Sequence, residues 1–508
     1  MLLEKINKTT IEYIKNSKKK DRKKIGQFFT PDSVAKYMSS LSNIDNREVK
    51  ILDPGTGSGI LTAALCEKIV KESKISKIQI DFYENDERII PLLEKNILII
   101  KKYLQNNNIK VNINLFKENF ILFNKDLWSK SDKNNVYDIV IANPPYKKIK
   151  KSSPESQAML SIVYGQPNIY FLFMAMAAHL LKNNGEMIFI IPRSFSSGAY
   201  FKKFREWFFN EIDITNLHLF ISRSDVFKNE TVLQETIILK GINRKEFCDE
   251  ILITESKDLS NLDKIEKYKV SKELMIERNT DNYFMKIPTD EEDISLLKFI
   301  NEWSSTLTNL GFKLKTGPVV KFRNEEFIKN KPAKNTVPLI WANHFKENKI
   351  EFPNKNMKKP QYIINNQETK KMLLENKDYL LLKRFTSKEE KKRIQPALYL
   401  SNQFDFSQIS LENHLNYLAT TKNDDKINKI ELYGIYTILN SSFVDKYYRI
   451  LNGNTQVNAS ELNSMPFPNK NKIKEIGKLA MDNKNLNTYQ SNEIIKYVFE
   501  LDSIKFAI

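Results

Sequence analysis

Strand-like and helix-like segments alternate from about residue 49 to about residue 240, and this alternation limits the folds open to the chain more than any other feature. The apolar runs have the length of buried strands, and segments of helical length and pattern separate them. The predicted strands are 49–53, 77–83, 111–116, 137–142, 186–192, 214–220 and 233–239, and the predicted helices are 61–72, 86–104, 169–181 and 199–209. This order predicts a doubly wound α/β fold with a mostly parallel, Rossmann-like sheet.

The pattern changes at about residue 243, where the sequence becomes charged and irregular. From about residue 290 to 467, short strand-like segments occur among prolines, lysines and aromatic residues, which is typical of a separate α+β module. The predicted parts are a basic N-terminal helix (1–24), an α/β domain (25–245), a connector (246–305), an α+β module (306–470) and a helical tail (471–508).

Composition narrows the classes of protein to consider. The net charge of +18 favours a polyanionic partner such as nucleic acid, although excess lysine is also typical of a merely solvated surface. Two cysteines, Cys66 and Cys248, and four scattered histidines argue against a disulfide framework and against a metal site. No apolar run reaches the roughly 18 residues of a membrane span, and the lysine-rich N-terminus lacks the apolar core of a secretory signal. We therefore expect a cytoplasmic protein.

A glycine-rich turn, DPGTGSG (53–59), follows the first predicted strand. It lacks a dinucleotide fingerprint, because Ile60 stands where the third glycine is required, and it lacks the Gly-Lys-Ser/Thr of a Walker loop. Glu84 and Asn85 follow the second predicted strand, where a carboxylate can accept hydrogen bonds from ribose hydroxyls. The pattern fits a nucleoside ligand without a pyrophosphate, such as S-adenosylmethionine, whereas the glycines alone also fit a simple tight turn. The expected cofactor contacts here are Asp53, Pro54, Gly55, Gly57, Gly59, Glu84 and Asn85.

A rigid tetrapeptide, Asn143-Pro144-Pro145-Tyr146, ends the fourth predicted strand. Proline lacks the backbone donor that a sheet needs, so one interpretation is simple termination of the strand. The other is that the locked φ of proline aims one amide and one carbonyl at a substrate.

The motifs DPGTGSG, YEND and NPPY, in this order, resemble those of the amino-methylating DNA methyltransferases. GQFFTP (26–31) resembles the motif that precedes the glycine loop in the γ (TaqI-type) order, which implies that Thr30 and Pro31 lie against the methionine end of the cofactor. In ENFI (118–121), Asn119 replaces the aspartate with which the family reads the cofactor adenine, and its side-chain oxygen can still accept a hydrogen bond from the adenine amino group. The resemblance therefore implies that Asn119 and Phe120 contact the cofactor. The resemblance covers roughly residues 20–240 and implies a class I S-adenosylmethionine-dependent methyltransferase fold.

The resemblance also assigns chemistry to the tetrapeptide. The Asn143 side-chain oxygen and the Pro144 carbonyl oxygen can accept the two amino protons of an adenine, which stabilises the charge that develops on its nitrogen. Pro145 stiffens the loop, Asn143 also borders the cofactor, and Tyr146 can stack on the base. The adenine must leave its duplex to reach this loop, so a second aromatic residue is expected on its other face. Phe227 stands in the matching Val-Phe context, with an ordinary core phenylalanine as the alternative.

Basic residues mark the expected contacts with DNA. A lysine run directly follows the tetrapeptide, and segments at 315–323, 337–345, 381–394 and 452–468 resemble the target-recognition half of PstI/BsuBI-type restriction–modification methylases. Arginine and lysine suit phosphates and guanine, whereas asparagine and glutamine suit adenine. The alternatives are a solvated charged surface and turns in a structural domain. The expected DNA contacts are Lys147, Lys148, Lys150, Lys151, Arg323, Lys383, Arg384, Lys388, Asn454, Gln456 and Asn458.

Together these features predict a site-specific DNA adenine-N6 methyltransferase acting on double-stranded DNA, paired with a restriction endonuclease of the same specificity. An RNA adenine methyltransferase and a protein glutamine methyltransferase use the same NPPY chemistry and are the first alternatives. A non-catalytic DNA-specificity subunit is the second, although the intact glycine turn and tetrapeptide argue against it.

Overall fold

The computed structural model describes residues 1–17, 29–43, 46–72, 74–129, 136–220, 235–256, 266–278, 280–387, 389–422, 427–453, 456–483 and 486–501. The chain divides into two compact units, Met1–Thr289 and Asp290–Ile508. Within these described ranges, no helix combines the length and the apolar composition that crossing a membrane requires.

The first unit is built on a mixed sheet with the strand order β3-β2-β1-β4-β5-β7-β6-β8-β9. Its strands are β1 (Glu48–Pro54), β2 (Lys77–Tyr83), β3 (Lys110–Phe116), β4 (Tyr137–Ala142), β5 (Leu181–Pro192), β6 (Asp213–Phe220), β7 (Thr236–Ile242), β8 (Glu250–Ser256) and β9 (Glu266–Ser271). Strands β3, β2, β1, β4 and β5 are parallel to one another, and β7 lies antiparallel between β5 and β6. The predicted α/β fold with a mostly parallel sheet is confirmed.

Helices cover this sheet. They are α1 (Leu2–Asn16), α2 (Asp32–Ser40), α3 (Ile60–Glu72), α4 (Ile90–Asn106), α5 (Phe120–Phe123), α6 (Lys125–Ser129), α7 (Pro154–Ala158), α8 (Ile169–His179), α9 (Lys202–Glu211) and α10 (Lys272–Met275), with 3-10 turns at Leu160–Ile162, Arg193–Ser196 and Ala199–Phe201. Every residue of α8 is buried, as expected for a helix that is apolar on all sides. Helix α4 begins later than predicted, because the Asp86 carboxylate accepts a hydrogen bond from the Arg88 amide (3.2 Å) and holds the chain in a turn.

The N-terminal helix belongs to the first unit rather than forming a separate part. Leu2 and Ile6 are buried in the core of that unit. The Thr9 hydroxyl donates to the Asn96 side-chain oxygen (2.8 Å), and the Asn96 amide donates to the Ser58 carbonyl oxygen (2.8 Å). Buried Asn96 therefore connects α1 to the glycine turn through α4. The basic residues 18–24 lie outside the described residues.

The segment predicted as a connector, 246–305, is instead divided between the two units. Strand β8 pairs parallel with β6, and β9 pairs antiparallel with β8, so both extend the large sheet. Ile251 and Ile253 are buried, whereas Glu250, Lys267 and Lys269 are exposed. Strands near the edge of a sheet often carry charged side chains on their exposed face. Because buried apolar and exposed charged residues are mixed in this segment, its composition resembles that of an irregular linker.

The second unit contains a six-stranded sheet, β11-β21-β18-β19-β15-β14, a five-stranded sheet, β12-β16-β13-β20-β17, and the pair β10-β22, counted over the part of the chain that is described. Its strands are β10 (Ser305–Thr306), β11 (Phe312–Thr316), β12 (Ile328–Lys329), β13 (Thr336–Ile340), β14 (Phe345–Lys346), β15 (Lys349–Ile350), β16 (Tyr362–Ile364), β17 (Leu374–Glu375), β18 (Tyr379–Lys383), β19 (Pro396–Tyr399), β20 (Gln408–Leu411), β21 (Leu415–Thr420) and β22 (Pro466–Phe467). The predicted α+β character of this half is confirmed.

Helices of the second unit include those predicted as a tail. They are α11 (Glu291–Asn301), α12 (Lys429–Asn440), α13 (Ser442–Leu451), α14 (Ala459–Ser464), α15 (Lys470–Met481) and α16 (Thr488–Val498), with 3-10 turns at Lys321–Arg323, Glu325–Phe327, Ala342–His344, Lys370–Met372 and Ser401–Gln403. Ile473 and Ile476 of α15 are fully buried, and Lys470 forms an ion pair with Glu431 of α12 (3.3 Å). The terminal helices are thus part of the packed unit.

Replacing Asn96 with alanine should destabilise the first unit, because the substitution removes the side-chain donor to the buried Ser58 carbonyl and one of the two acceptors of the Thr9 hydroxyl. The expected loss of folding free energy is about 1–3 kcal/mol, measured by urea unfolding of the full chain. Asn106→Ala, at the exposed end of the same helix, is the matched control and should leave the unfolding midpoint unchanged. Equal midpoints for both variants would contradict the structural role of Asn96.

Candidate active site

The sequence motifs meet at one edge of the sheet of the first unit. Parallel strands β3, β2, β1 and β4 are neighbours, so the segments that follow their carboxyl ends lie side by side. A cavity of about 220 Å³ opens there. It is lined by Gly55, Tyr83, Glu84, Asn85, Glu118, Asn119, Phe120, Pro145, Lys147, Glu155, Ile169 and Phe173.

The glycine turn adopts a conformation that side chains would oppose. Gly55, Gly57 and Gly59 have φ values of +69°, +60° and +78°. A Cβ atom on Gly55 would lie 3.3 Å from the Phe173 ring and 3.7 Å from Pro145. The amides of Gly55 and Thr56 donate to the Tyr83 carbonyl oxygen (2.9 and 3.0 Å), so the turn is tied to the end of β2. The backbone is therefore held close to the cavity with no side chain in between.

Glu84 organises the turn from the neighbouring strand. Its carboxylate accepts hydrogen bonds from the amides of Gly57 (2.8 Å), Asn85 (2.9 Å) and Asp86 (2.9 Å). A carboxylate has about four acceptor positions, so a ribose at this edge would share Glu84 with the backbone. The sequence pattern did not predict this second role.

Asp53 places a second carboxyl group beneath the turn. It is buried, and it accepts a hydrogen bond from the Thr62 hydroxyl (2.7 Å). Burial, opposed by the Thr62 hydrogen bond and with a smaller contribution from nearby Glu84, raises the pKa of Asp53 to about 8. Burial also raises the pKa of Glu84, against the effect of its backbone donors. Two buried carboxyl groups favour a cationic ligand, because a positive charge stabilises their ionised forms.

The side chain of Asn119, which lines the cavity, also caps a helix. Its side-chain oxygen accepts from the amides of Ile121 (3.1 Å) and Leu122 (3.2 Å) at the start of α5. Its amide nitrogen donates to Glu155 (3.0 Å). Contact between the Asn119 oxygen and a cofactor adenine, which the sequence allowed, would therefore compete with the cap. Phe120 is buried and borders the cavity.

The tetrapeptide follows β4 directly, beside the glycine turn. The Asn143 amide donates to the Thr30 hydroxyl (3.0 Å), which fixes the orientation of the side chain and turns its oxygen away from Thr30. Pro31 is the N-cap residue of α2, and Thr30 is buried. The structure thus brings together Thr30 and Asn143, which are 113 positions apart in the sequence.

Tyr146 is anchored through its hydroxyl group, which donates to the Ile190 carbonyl oxygen (2.9 Å). Its ring lies edge-on to Tyr170, with ring centroids 6.2 Å apart. Burial raises the pKa of Tyr146 well above its ordinary value, so the phenol stays protonated. A contact with substrate would therefore use the face of the ring rather than the hydroxyl.

The lysine run continues from the tetrapeptide along the surface. Lys147, Lys148, Lys150 and Lys151 are exposed, and Lys147 also borders the cavity. Residues 147–149 pair with 167–169 through the Ile149 amide and the Ile169 amide (2.9 Å each). This pairing connects the run to the start of α8.

The groups in and around the cavity fit S-adenosylmethionine. Backbone exposed by glycines, a buried carboxylate beside them and an apolar wall of Phe120, Pro145 and Phe173 suit a nucleoside that carries a positive charge. Sequence reasoning missed Glu155, Ile169 and Phe173, which border the same cavity. No local motif marks them, because α7 and α8 reach the cavity only through tertiary packing.

The residues of the second unit that are predicted to contact DNA differ in exposure and in the groups they contact. Arg323 is exposed, Lys383 lies 5.6 Å from the centre of the Phe345 ring, and an Arg384 Nη atom donates to the Asn413 carbonyl oxygen (3.1 Å). Gln456 is half-buried, and the Asn458 amide donates to Glu461 (3.2 Å). Residues 26–28, Phe227, Lys388 and Asn454 lie outside the described residues.

Comparisons with known proteins identify the family of the chain. Residues 60–227 match the family described as "Eco57I restriction-modification methylase". The chain is 36% identical to the type II methyltransferase M.BsuBI of Bacillus subtilis over 95% of both chains. It is 30% identical to the type II methyltransferase M.PstI of Providencia stuartii, over 90% of this chain and 89% of that protein.

One solved structure resembles this chain in fold over nearly its whole length. The type IIL restriction-modification enzyme MmeI, solved in complex with DNA, matches with a TM-score of 0.50 and 14% identity, over 98% of this chain and 73% of that one. At this identity the match concerns the fold alone. The identities to M.BsuBI and M.PstI, each over nearly the whole chain, establish that this protein belongs to the type II methyltransferases of restriction–modification systems.

Proposed function

We propose that the chain methylates the N6 amino group of a specific adenine in double-stranded DNA, with S-adenosylmethionine as methyl donor. The adenine is flipped out of the duplex into the first unit, and the second unit recognises the surrounding sequence. In this role the protein works in the cytoplasm and protects DNA from a restriction endonuclease of the same specificity, without the need for direct contact between the two.

The observation that carries this proposal is the placement of Asn143. The tetrapeptide leaves β4 beside the glycine turn, its Pro145 lines the cavity, and Thr30 orients the Asn143 amide two residues before Pro145. An asparagine oxygen followed by a proline carbonyl provides two acceptors for the two protons of one amino group. An adenine amino group is a weak nucleophile, since its lone pair is delocalised into the ring, and two such acceptors favour a pyramidal nitrogen with a localised lone pair.

The residues divide the work of the reaction. The Asn143 oxygen and the Pro144 carbonyl accept the amino protons and stabilise the positive charge that develops on the nitrogen. The Tyr146 ring, held by its bond to Ile190, supplies a face for the base and for that charge. When bound, S-adenosylmethionine supplies a methyl group on a sulfonium with a neutral leaving group, so the protein needs no catalytic carboxylate.

The first unit also holds the cofactor and meets the DNA backbone. Gly55, Gly57 and Glu84 would contact the nucleoside, and Asp53 with the Thr30–Pro31 segment would lie toward its methionine end. The exposed lysines after the tetrapeptide would contact phosphates, since such contacts depend on charge and carry no sequence information.

Asn143→Ala should lower the rate of methyl transfer by about 10²–10³-fold, because one of the two amino-proton acceptors is lost. Thr30→Val removes the hydroxyl that orients the Asn143 amide and should cause a smaller loss. The measurement is single-turnover transfer of labelled methyl groups to DNA, with cofactor affinity determined in parallel. Wild-type transfer rates in Asn143→Ala would show that Asn143 is not an acceptor of the amino protons.

Glu84→Ala should weaken cofactor binding by about 10- to 100-fold, since it removes a charged acceptor from the ribose and releases the amide of Gly57. Calorimetric titration with S-adenosylmethionine measures the effect. Glu87→Ala, an exposed carboxylate just beyond the same strand, is the matched control and should bind like the wild type. Unchanged affinity in Glu84→Ala would show that the cofactor binds elsewhere.

A further inference from the structure

Four loops of the second unit come together at one end of its six-stranded sheet. Strand β21 runs antiparallel to both β11 and β18, with Thr316 opposite Asn416 and Lys383 opposite Leu415. The chain therefore leaves β11 and β18 at the same end at which it enters β21. Residues 317–323, 384–387 and 412–414 emerge at this end, and residues 456–458 join them. We call the surface formed by these segments the four-loop face.

Backbone hydrogen bonds hold the first loop against the third. The Gly317 amide donates to the Leu415 carbonyl oxygen (2.8 Å), and the Asn413 amide donates to the Val319 carbonyl oxygen (2.9 Å). A Cβ atom on Gly317 would overlap the carbonyl group of Glu412, so the close approach requires glycine. The turn at 412–414 is also the point where the chain passes from the five-stranded sheet to the six-stranded sheet.

The second loop connects the third to the fourth. The Arg384 amide donates to the His414 carbonyl oxygen (2.8 Å), and the Val457 amide donates to the Arg384 carbonyl oxygen (2.7 Å). The Phe385 ring meets the His414 ring edge to face, with centroids 4.7 Å apart. These contacts join segments that are far apart in the sequence into one surface.

A buried polar network supports the fourth loop from below. The Tyr448 hydroxyl donates to Glu461 (2.5 Å), and the Asn452 amide contacts the same carboxylate. The Asn416 amide donates to the Val457 carbonyl oxygen (2.9 Å). Asn458, one of the predicted DNA contacts, donates its side-chain amide to Glu461, and this bond holds it against the network. A fully partnered network of this kind fixes a single conformation.

The exposed side chains of this face suit DNA. The side chains of Phe385 and His414 are 43% and 49% exposed, and Phe322 is 74% exposed. Lys321 and Arg323 are exposed beside Phe322, whereas the acidic Glu412 is buried and accepts from the His414 amide (2.9 Å). The exposed cations suit the phosphates of DNA, and the exposed rings suit its base edges, while the one acidic side chain named here is buried.

We propose that the four-loop face reads base edges of duplex DNA through Asn413, His414 and Phe385, an inference that rests on the proposed function. Asn413 and His414 form a two-residue turn at the tip of the face, fixed through their carbonyl oxygens by Arg384. An asparagine amide suits adenine, a histidine ring supplies a donor and an acceptor, and an aromatic edge suits a thymine methyl group. Glu412 acts as a positioning residue for the turn.

The test compares Asn413→Ala, His414→Ala and Phe385→Ala with the wild type on a random-sequence duplex library, with methylated positions identified by sequencing. Each variant should lose about 10- to 100-fold in kcat/KM at the wild-type sequence and should accept additional bases at one or two positions of the site. Cofactor affinity should not change. Tyr497→Ala, which removes a 72% exposed ring from α16, is the matched control and should keep both rate and selectivity.

Two results would overturn the proposal. If all three variants keep the wild-type kcat/KM and site, the face does not contact DNA bases. If methylation falls equally at every sequence with no change of site, the face contacts phosphates alone. A wild-type chain that transfers no methyl group to DNA would instead refute the proposed function, so the two failures remain distinct.

Discussion

The parallel pairing of β1 with β2 and β4 is the constraint on which the site of the first unit depends. In this register Ile51 lies opposite Ile139 and Leu52 lies opposite Val140, so the glycine turn and the tetrapeptide leave the sheet at the same level. The same pairing places Pro54 opposite Tyr83, directly before Glu84. A shift of one residue would reverse every side chain between the two faces of a strand. The buried apolar residues of these strands thus fix the geometry of the polar residues that follow them.

Burial gives the polar residues of this edge their properties. Asp53 and Glu84 are removed from water, which raises the pKa of both carboxyl groups, while hydrogen bonds from Thr62 and from backbone amides partly offset the cost. The same hydrogen bonds fix the shape of the glycine turn. Groups held in place by such partners are prepared for a ligand before it arrives, so binding requires little reorganisation.

The sequence was sufficient for the parallel centre of the sheet but not for its β8–β9 edge or for several contacts of the site. Buried parallel strands are continuous apolar runs, so β1, β2 and β4 were predicted within a residue of their bounds. Strands β8 and β9 were missed because charges on their open face resemble a linker. The cap formed by Asn119 and the anchoring of Tyr146 to Ile190 depend on neighbours that local patterns do not reveal. The same is true of the four-loop face, since hydrogen bonds between distant segments create it.

The proposed function requires that this chain, already placed among the type II methyltransferases, modifies the amino group of adenine. The most direct measurement is mass spectrometry of nucleosides from unmethylated duplex DNA incubated with the purified chain and isotopically labelled S-adenosylmethionine. We expect labelled N6-methyladenine as the methylated nucleoside. Label in N4-methylcytosine or 5-methylcytosine instead, with none in adenine, would contradict it.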